Sequence, residues 1–315
     1  MEATCTIQRF NPETDAQPHF VDYRIDVPEG TTVLDLLHAI KDRQDGSLTF
    51  RRSCRSAICG SCAMKVNGVT IMVCKTQVQD AYIKGKLVIE PMGNFTIIKD
   101  LVVDLSFFWD KIRAVRPYLA ERYSADAPKP YNSMTPQVVD TLKGLADCMF
   151  CGSCYSDCEA IRVNRAFTGP AALTKAYRFA IDPRDRIGED RAVELAQSEG
   201  DGMWLCVICQ NCQDHCPQGV RTIDAMDGLK NMVTMAGEGA AGFTAAIDLL
   251  WKHANLYEVG EFENKMRIKR GLPERTHRAE DMQRILKLTG LAQAAKPGLV
   301  AAGAPAATKP KGGDS

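Results

Sequence analysis

The sequence has no net charge, no long apolar run and no nucleotide-binding loop, and each absence removes a class of function. Lys and Arg number 39 and so do Asp and Glu, so no excess of either sign draws the chain to nucleic acid or to anionic lipid. The longest apolar stretches, Gly239–Ala246 and Ile247–Trp251, are interrupted by Asp248 and Lys252, and none reaches the roughly 18–20 residues of a membrane span. Met1-Glu2-Ala3-Thr4 lacks the basic and apolar blocks of a secretory signal, so a reducing compartment is expected. There is no Gly-x-Gly-x-x-Gly after a strand, no Walker loop and no Gly-x-Ser-x-Gly, so neither NAD nor FAD is expected on this chain. Disorder of the whole chain is excluded by a hydrophobic content of 45%, and 315 residues suit about two domains.

Cysteine is what the sequence has in excess. Of 13 cysteines, twelve fall in three groups: Cys54, Cys59, Cys62 and Cys74; Cys148, Cys151, Cys154 and Cys158; Cys206, Cys209, Cys212 and Cys216. In a reducing compartment, clustered cysteines bind metal rather than pair as disulfides.

The patterns around them change along the chain. In Phe20–Val27, Val21, Tyr23, Ile25 and Val27 alternate with Asp22, Arg24 and Asp26, which reads as a half-buried strand. Ala3–Phe10 reads as a weaker one. Thr31-Thr32 can cap a helix with apolar positions Val33, Leu36, Leu37 and Ile40. Met64–Val66 and Val69–Val73 flank Asn67-Gly68, a strong hairpin signal, and Lys86–Ile89 is another short strand. A small sheet grasping one helix is expected over residues 1–105. Residues 106–135 read as a connecting helix and linker, ending in the Pro128-Lys129-Pro130 stretch. Residues 136–236 read as helical: Leu173, Ala176, Tyr177, Ala180 and Ile181 share a helical face after Pro170, as do Met226, Leu229, Val233 and Ala236. Residues 237–295 read as a charged helical extension, and 296–315 as a disordered tail rich in Ala, Gly, Pro and Lys.

Cys54-x4-Cys59-x2-Cys62 with the distant Cys74 is the plant-type [2Fe–2S] spacing. Gly60 and Ser61 keep the loop small, so amides can approach sulfur, and Arg51, Arg52 and Arg55 place positive charge beside it; both raise a reduction potential. The alternative is zinc, which usually takes two separated knuckles. The other two groups share the spacing Cys-x2-Cys-x2-Cys-x3-Cys, and Pro217 follows Cys216, as in bacterial ferredoxins. There the fourth cysteine of each run ligates the other cluster. That rule gives one [4Fe–4S] site from Cys148, Cys151, Cys154 and Cys216, and another from Cys158, Cys206, Cys209 and Cys212. The second becomes [3Fe–4S] if Cys209 is not a ligand; paired structural zinc sites are the alternative for both. Cys5 reads as a small hydrophobe in the first strand. His215, between Cys212 and Cys216, reads as a bystander, with ligand or proton site as its alternative. Three clusters without substrate chemistry make an electron wire, with no catalytic residue expected.

A plant-type [2Fe–2S] domain followed by a two-cluster ferredoxin domain resembles the iron–sulfur subunit of succinate dehydrogenase and fumarate reductase. The resemblance extends past the cysteines. Arg51-Arg52-Ser53-Cys54-Arg55, Cys59-Gly60-Ser61-Cys62-Ala63-Met64, Asn67-Gly68 and Cys74 follow the family's first motif. Lys99-Asp100-Leu101-Val102-Val103-Asp104 and Arg116-Pro117-Tyr118-Leu119 follow its inter-domain segment. Gly169-Pro170-Ala171, Ala176-Tyr177-Arg178 and Ile181-Asp182-Pro183-Arg184-Asp185 follow its helical segment. The likeness spans about Met1–Met235. It implies an α+β chain, with a β-grasp [2Fe–2S] domain and an all-helical bacterial-type two-cluster domain. It also implies a flavoprotein partner that carries FAD and the dicarboxylate, and a membrane-associated partner that reacts with quinone.

Three departures separate this chain from the common members. They carry a non-cysteine residue at the position of Cys209 and build [3Fe–4S] there. They follow the second group with Cys-Pro and a Trp pair, where this chain has Cys158-Glu159 and Arg162-Val163. They place a His near the quinone where this chain has Val207. These departures resemble the non-classical, type E or methylmenaquinol:fumarate reductase-like subgroup, whose third subunit is similar to a heterodisulfide reductase subunit with cysteine-rich CCG motifs. Residues 237–291 are then either a dock for that subunit or a helical cap. The implied location is the cytoplasmic face of the membrane, or the periplasmic face if the chain is exported with its flavoprotein. The rivals are a thiol-linked fumarate reductase, which the absence of cysteine after Cys216 opposes, and a non-enzymatic redox sensor or zinc module.

Overall fold

The computed structural model describes residues 2–83, 85–120, 134–197, 202–236, 249, 260–275 and 279–288. The chain divides into two compact units, Met1–Leu229 and Lys230–Ser315.

The first unit begins with β1 (Glu2–Arg9) and β2 (His19–Asp26), antiparallel from Glu2 opposite Asp26 to Arg9 opposite His19. The alternation in β2 buries Tyr23 and Ile25 and leaves Asp22, Arg24 and Asp26 in solvent. β5 (Leu87–Glu90) joins β1 in parallel, and the hairpin of β3 (Ala63–Val66) and β4 (Val69–Met72) completes the sheet order β2-β1-β5-β3-β4. Asn67 and Gly68 both sit at positive φ, 49° and 88°, as a tight hairpin turn of matching twist requires. α1 (Val33–Arg43) buries Val33, Leu34, Leu36, Leu37 and Ile40. The Thr32 hydroxyl accepts the Asp35 amide at 3.1 Å and so satisfies one orphan donor of its first turn.

A buried ion pair closes this half. Arg9 donates from Nε to Asp100 at 3.0 Å and also meets Tyr23 and Asp45. Asp100 accepts the amides of Phe10 (3.0 Å) and Thr49 (2.8 Å) as well, so neither buried charge is uncompensated. Cys5 is fully buried on β1, and burial, followed by Asp22, pushes its thiol up to about 12. Two elements were not legible in the sequence: α2 (Val78–Ala81) and a small ladder of β6 (Ile97–Lys99) and β7 (Val102–Val103). At two to four residues each, they are too short to show a period.

Among the described residues, helices alone follow. They are α3 (Ser106–Ala114), α4 (Pro136–Ala146), α5 (Ser153–Ser156), α6 (Glu159–Val163), α7 (Pro170–Ala180), α8 (Gly188–Gln197), α9 (Asn211–Asp214) and α10 (Thr222–Met235). α7 is central; every residue from Pro170 to Ala176 is buried. Its entry is set by Gly169, at φ 93°, where a Cβ would lie 2.2 Å from the Tyr155 ring. Tyr155 is itself fully buried, donates to the Thr168 carbonyl at 2.6 Å and meets Phe108 edge to face. Arg191 of α8 is 1% exposed and donates to the carbonyls of Val115 and Arg116 and to Asp185, all at 2.7 Å. It thereby donates to the carbonyls that follow α3, which have no partner within the helix.

Sheet and helices are joined by polar contacts in the same unit. Asp157 accepts the Thr70 amide (3.0 Å) and hydroxyl (2.6 Å). Asn94 donates to the carbonyls of Tyr155, Ser156 and Cys158.

In the second unit the described elements include helices Glu261–Lys269 and Ala279–Leu288, with Phe262, Ile268 and Leu288 exposed. Residues 121–133 of the expected linker, most of 237–259 and the tail 296–315 lie outside the described residues. No helix among the described residues is long and apolar enough to cross a membrane.

Candidate cluster-binding sites

The loop between α1 and β3 carries Cys54, Cys59 and Cys62, and Cys74 follows the end of β4. Positive φ at Arg55 (59°), Ala57 (55°) and Gly60 (73°) folds it back on itself, and its amides converge on sulfur. The N–H groups of Ser56, Ile58 and Cys59 donate to Cys54 Sγ at 3.3–3.4 Å, and that of Ala57 donates to Cys74 Sγ at 3.2 Å. The three amides, Ser56 first, hold the Cys54 thiol down at about 6, which favours the thiolate that a metal group needs. Cys62 is buried, and burial pushes it up to about 12.

The second and third groups fold alike. Phe150 (57°) and Ile208 (55°) take positive φ, as do Gly152 (82°) and Gln210 (68°) two residues later. Each run then enters a four-residue helix, α5 or α9. Cys148, Cys151, Cys154 and Cys216 line one pocket with Phe108, Phe150 and Ala171; Cys212 reaches its wall. Cys158, Cys206, Cys209 and Cys212 line another with Val207, Ile223 and Met226. Cys209 is exposed, Cys158 and Cys212 are buried. His215 Nδ1 meets the Asp157 carboxylate at 2.9 Å.

The sites abut. A Cβ on Gly60 would lie 2.8 Å from both Cα and Cβ of Cys151, so only glycine lets the first loop rest on the second. Gln218, two residues after Cys216, donates to the Ala57 carbonyl at 3.1 Å and so ties the first loop to the end of the third cysteine run.

These pockets fit iron–sulfur groups. Burial pushes Cys212 up to about 12 and Cys158 to about 11, with neighbouring thiols adding to both, and it pushes Cys154 well above its ordinary value. Four thiolates cannot coexist there without positive charge among them. Among the described residues, no three His, Cys, Asp or Glu stand close enough to hold one metal ion. Sequence reasoning missed Thr70, Asn94, Asp157 and Gln218, whose partners lie far away in the chain.

Fold and thiol arrangement together define an iron–sulfur electron-transfer protein. The family described as "2Fe-2S iron-sulfur cluster binding domain" matches residues 4–110, and "4Fe-4S dicluster domain" matches 144–220. The fumarate reductase iron-sulfur subunit of Haemophilus influenzae is 38% identical over 232 residues, which cover 70% of this chain and 89% of that one. The mitochondrial succinate dehydrogenase iron-sulfur subunit 1 of Oryza sativa is 35% identical over 235 residues, 73% of this chain and 81% of that one. A chain of the Mycobacterium smegmatis Sdh1 complex superposes with a TM-score of 0.66 at 26% identity, covering 74% of this chain and 95% of that one. The chain belongs to the iron–sulfur subunits of succinate dehydrogenases and fumarate reductases, and its role is electron transfer.

Proposed function

We propose that this subunit carries electrons between a flavoprotein and a membrane-associated partner of the non-classical, CCG-motif kind. Its sheet half is read as a β-grasp, and its helical half as a bacterial-type two-cluster ferredoxin. One [2Fe–2S] group is assigned to Cys54, Cys59, Cys62 and Cys74. One [4Fe–4S] group is assigned to Cys148, Cys151, Cys154 and Cys216, and another to Cys158, Cys206, Cys209 and Cys212. When bound, such groups supply one-electron chemistry. The chain's own residues hold the thiolates and direct amides at sulfur. The [2Fe–2S] half faces the flavoprotein, and the subunit sits peripherally on the cytoplasmic face of the membrane.

The observation that carries the subgroup is the surface beside the third set. Val163 is 86% exposed and Val207 66%. An aliphatic side chain neither hydrogen-bonds a quinone carbonyl nor assists its protonation, and Arg162 next door is engaged by Glu159. The quinone-reactive groups then belong to the third subunit. A flavoprotein–iron–sulfur pair purified without that subunit is expected to oxidise succinate with artificial dyes and to reduce menaquinone analogues poorly, with quinone activity returning in the three-subunit complex. Full quinone activity of the pair would place the pocket back on this chain.

A further inference from the structure

Lys175 stands on the wholly buried stretch of α7 and is itself 6% exposed. A buried ammonium is costly unless something negative or polar meets it. Its Nζ donates to the Leu145 carbonyl at 3.2 Å and lies 5.0 Å from the centre of the Phe150 ring. Phe150 and Cys148 both line the pocket of the second cysteine set. Among the described residues no carboxylate stands within ion-pair distance of it. Burial drives the ammonium towards its neutral form, and the charge of the neighbouring Cys148 position acts most strongly the other way. The ammonium stands against Phe150, whose ring is part of the wall of the pocket that Cys148 also lines.

We propose that Lys175 is a fixed positive charge that raises the reduction potential of the group held by Cys148, Cys151, Cys154 and Cys216. The inference rests on the ligand set proposed above. Reduction adds one electron to that group. A cation lodged beside it in apolar surroundings favours the reduced state, and salt screens it little there. A purely structural lysine, serving only to donate to a carbonyl at the C-terminal end of α4, would be replaceable by any donor of similar length. Lys175 is therefore a positioning charge for the group held by the Cys148 set rather than a residue that takes up electrons.

The test is a mediated redox titration, followed by EPR, of the anaerobically purified complex carrying K175M, K175Q or K175R. In K175M and K175Q the midpoint of the Cys148-set cluster is expected to fall by at least 59 mV, a tenfold change in the one-electron ratio. The other two clusters should stay in place, and K175R should remain near the parent. Loss of that cluster in K175Q with retention in K175R also supports the charge. Equal behaviour of K175Q and K175R, in potential or in cluster content, overturns it. If the parent complex shows no second four-iron signal, the ligand assignment itself fails, and the inference with it; the two failures are told apart before any variant is made.

Discussion

Cys209 is the residue on which the third site turns. It is exposed, while Cys158 and Cys212 of the same pocket are buried, so it can be changed without opening the core. Cys209→Ser is expected to leave Cys158, Cys206 and Cys212 holding a three-iron cluster. Iron content should fall by about one atom per chain, and the EPR signal of an oxidised three-iron cluster should appear. That signal at full intensity in the undamaged parent would remove Cys209 from the ligand set. Arg9 is a residue of the opposite kind, whose hydrogen bonds run to Asp100, Tyr23, Asp45 and Ser47 and, among the described residues, to no cysteine. Arg9→Leu leaves Asp100, 1% exposed, without its cation. A loss of about 3–5 kcal/mol in unfolding free energy is expected, measured by denaturant titration; a loss under about 1 kcal/mol would show that the two backbone amides on Asp100 suffice.

Elements place these residues, and short loops place the sulfurs. Gly60 combines a left-handed φ with a contact that admits no Cβ. Gly60→Ala is expected to destabilise the protein by about 2 kcal/mol or more, since left-handed backbone alone costs about 1–2 kcal/mol for an L-residue. It should also weaken the magnetic interaction between the first two clusters, read by EPR relaxation. Thr32→Ala is the matching control on α1. Loss of the cap should cost about 1 kcal/mol and leave every cluster signal as it was; a change in those signals would mean that the cap helps to shape the cysteine loop. The twin runs show how far local pattern reaches. Their identical spacing goes with like backbones: both take left-handed turns at corresponding residues, with Gly152 in one and Gln210 in the other.

For the whole molecule, the dependence on iron should be uneven. About ten iron atoms per chain are expected in anaerobic preparations, from one two-iron and two four-iron groups; about two would leave only the first. The helical half relies on them: α5, α6 and α9 are four or five residues long, far below what stands alone in water. The sheet half has α1 and a buried ion pair of its own. Iron removal is therefore expected to abolish much of the helical far-UV circular dichroism while strand signal persists; an unchanged spectrum would show that packing around Tyr155 and α7 suffices.

Much was legible in the sequence because its causes are local. The alternation of β2, the Asn67-Gly68 turn, the Thr32 cap and the cysteine spacings each act within about one turn or one loop, and periodicity and chirality decide them. The sequence by itself therefore determined the elements that carry the thiols and the family to which they belong. Only the tertiary structure decided what lies against those thiols. Thr70 reaches Asp157 across 87 residues, Gly60 meets Cys151, and Lys175 of α7 is brought beside Phe150 and the Cys148 pocket. Such pairs leave no periodic trace, because they arise when faces that are each satisfied locally are pressed together to bury apolar surface, and the polar groups trapped between them must find one another.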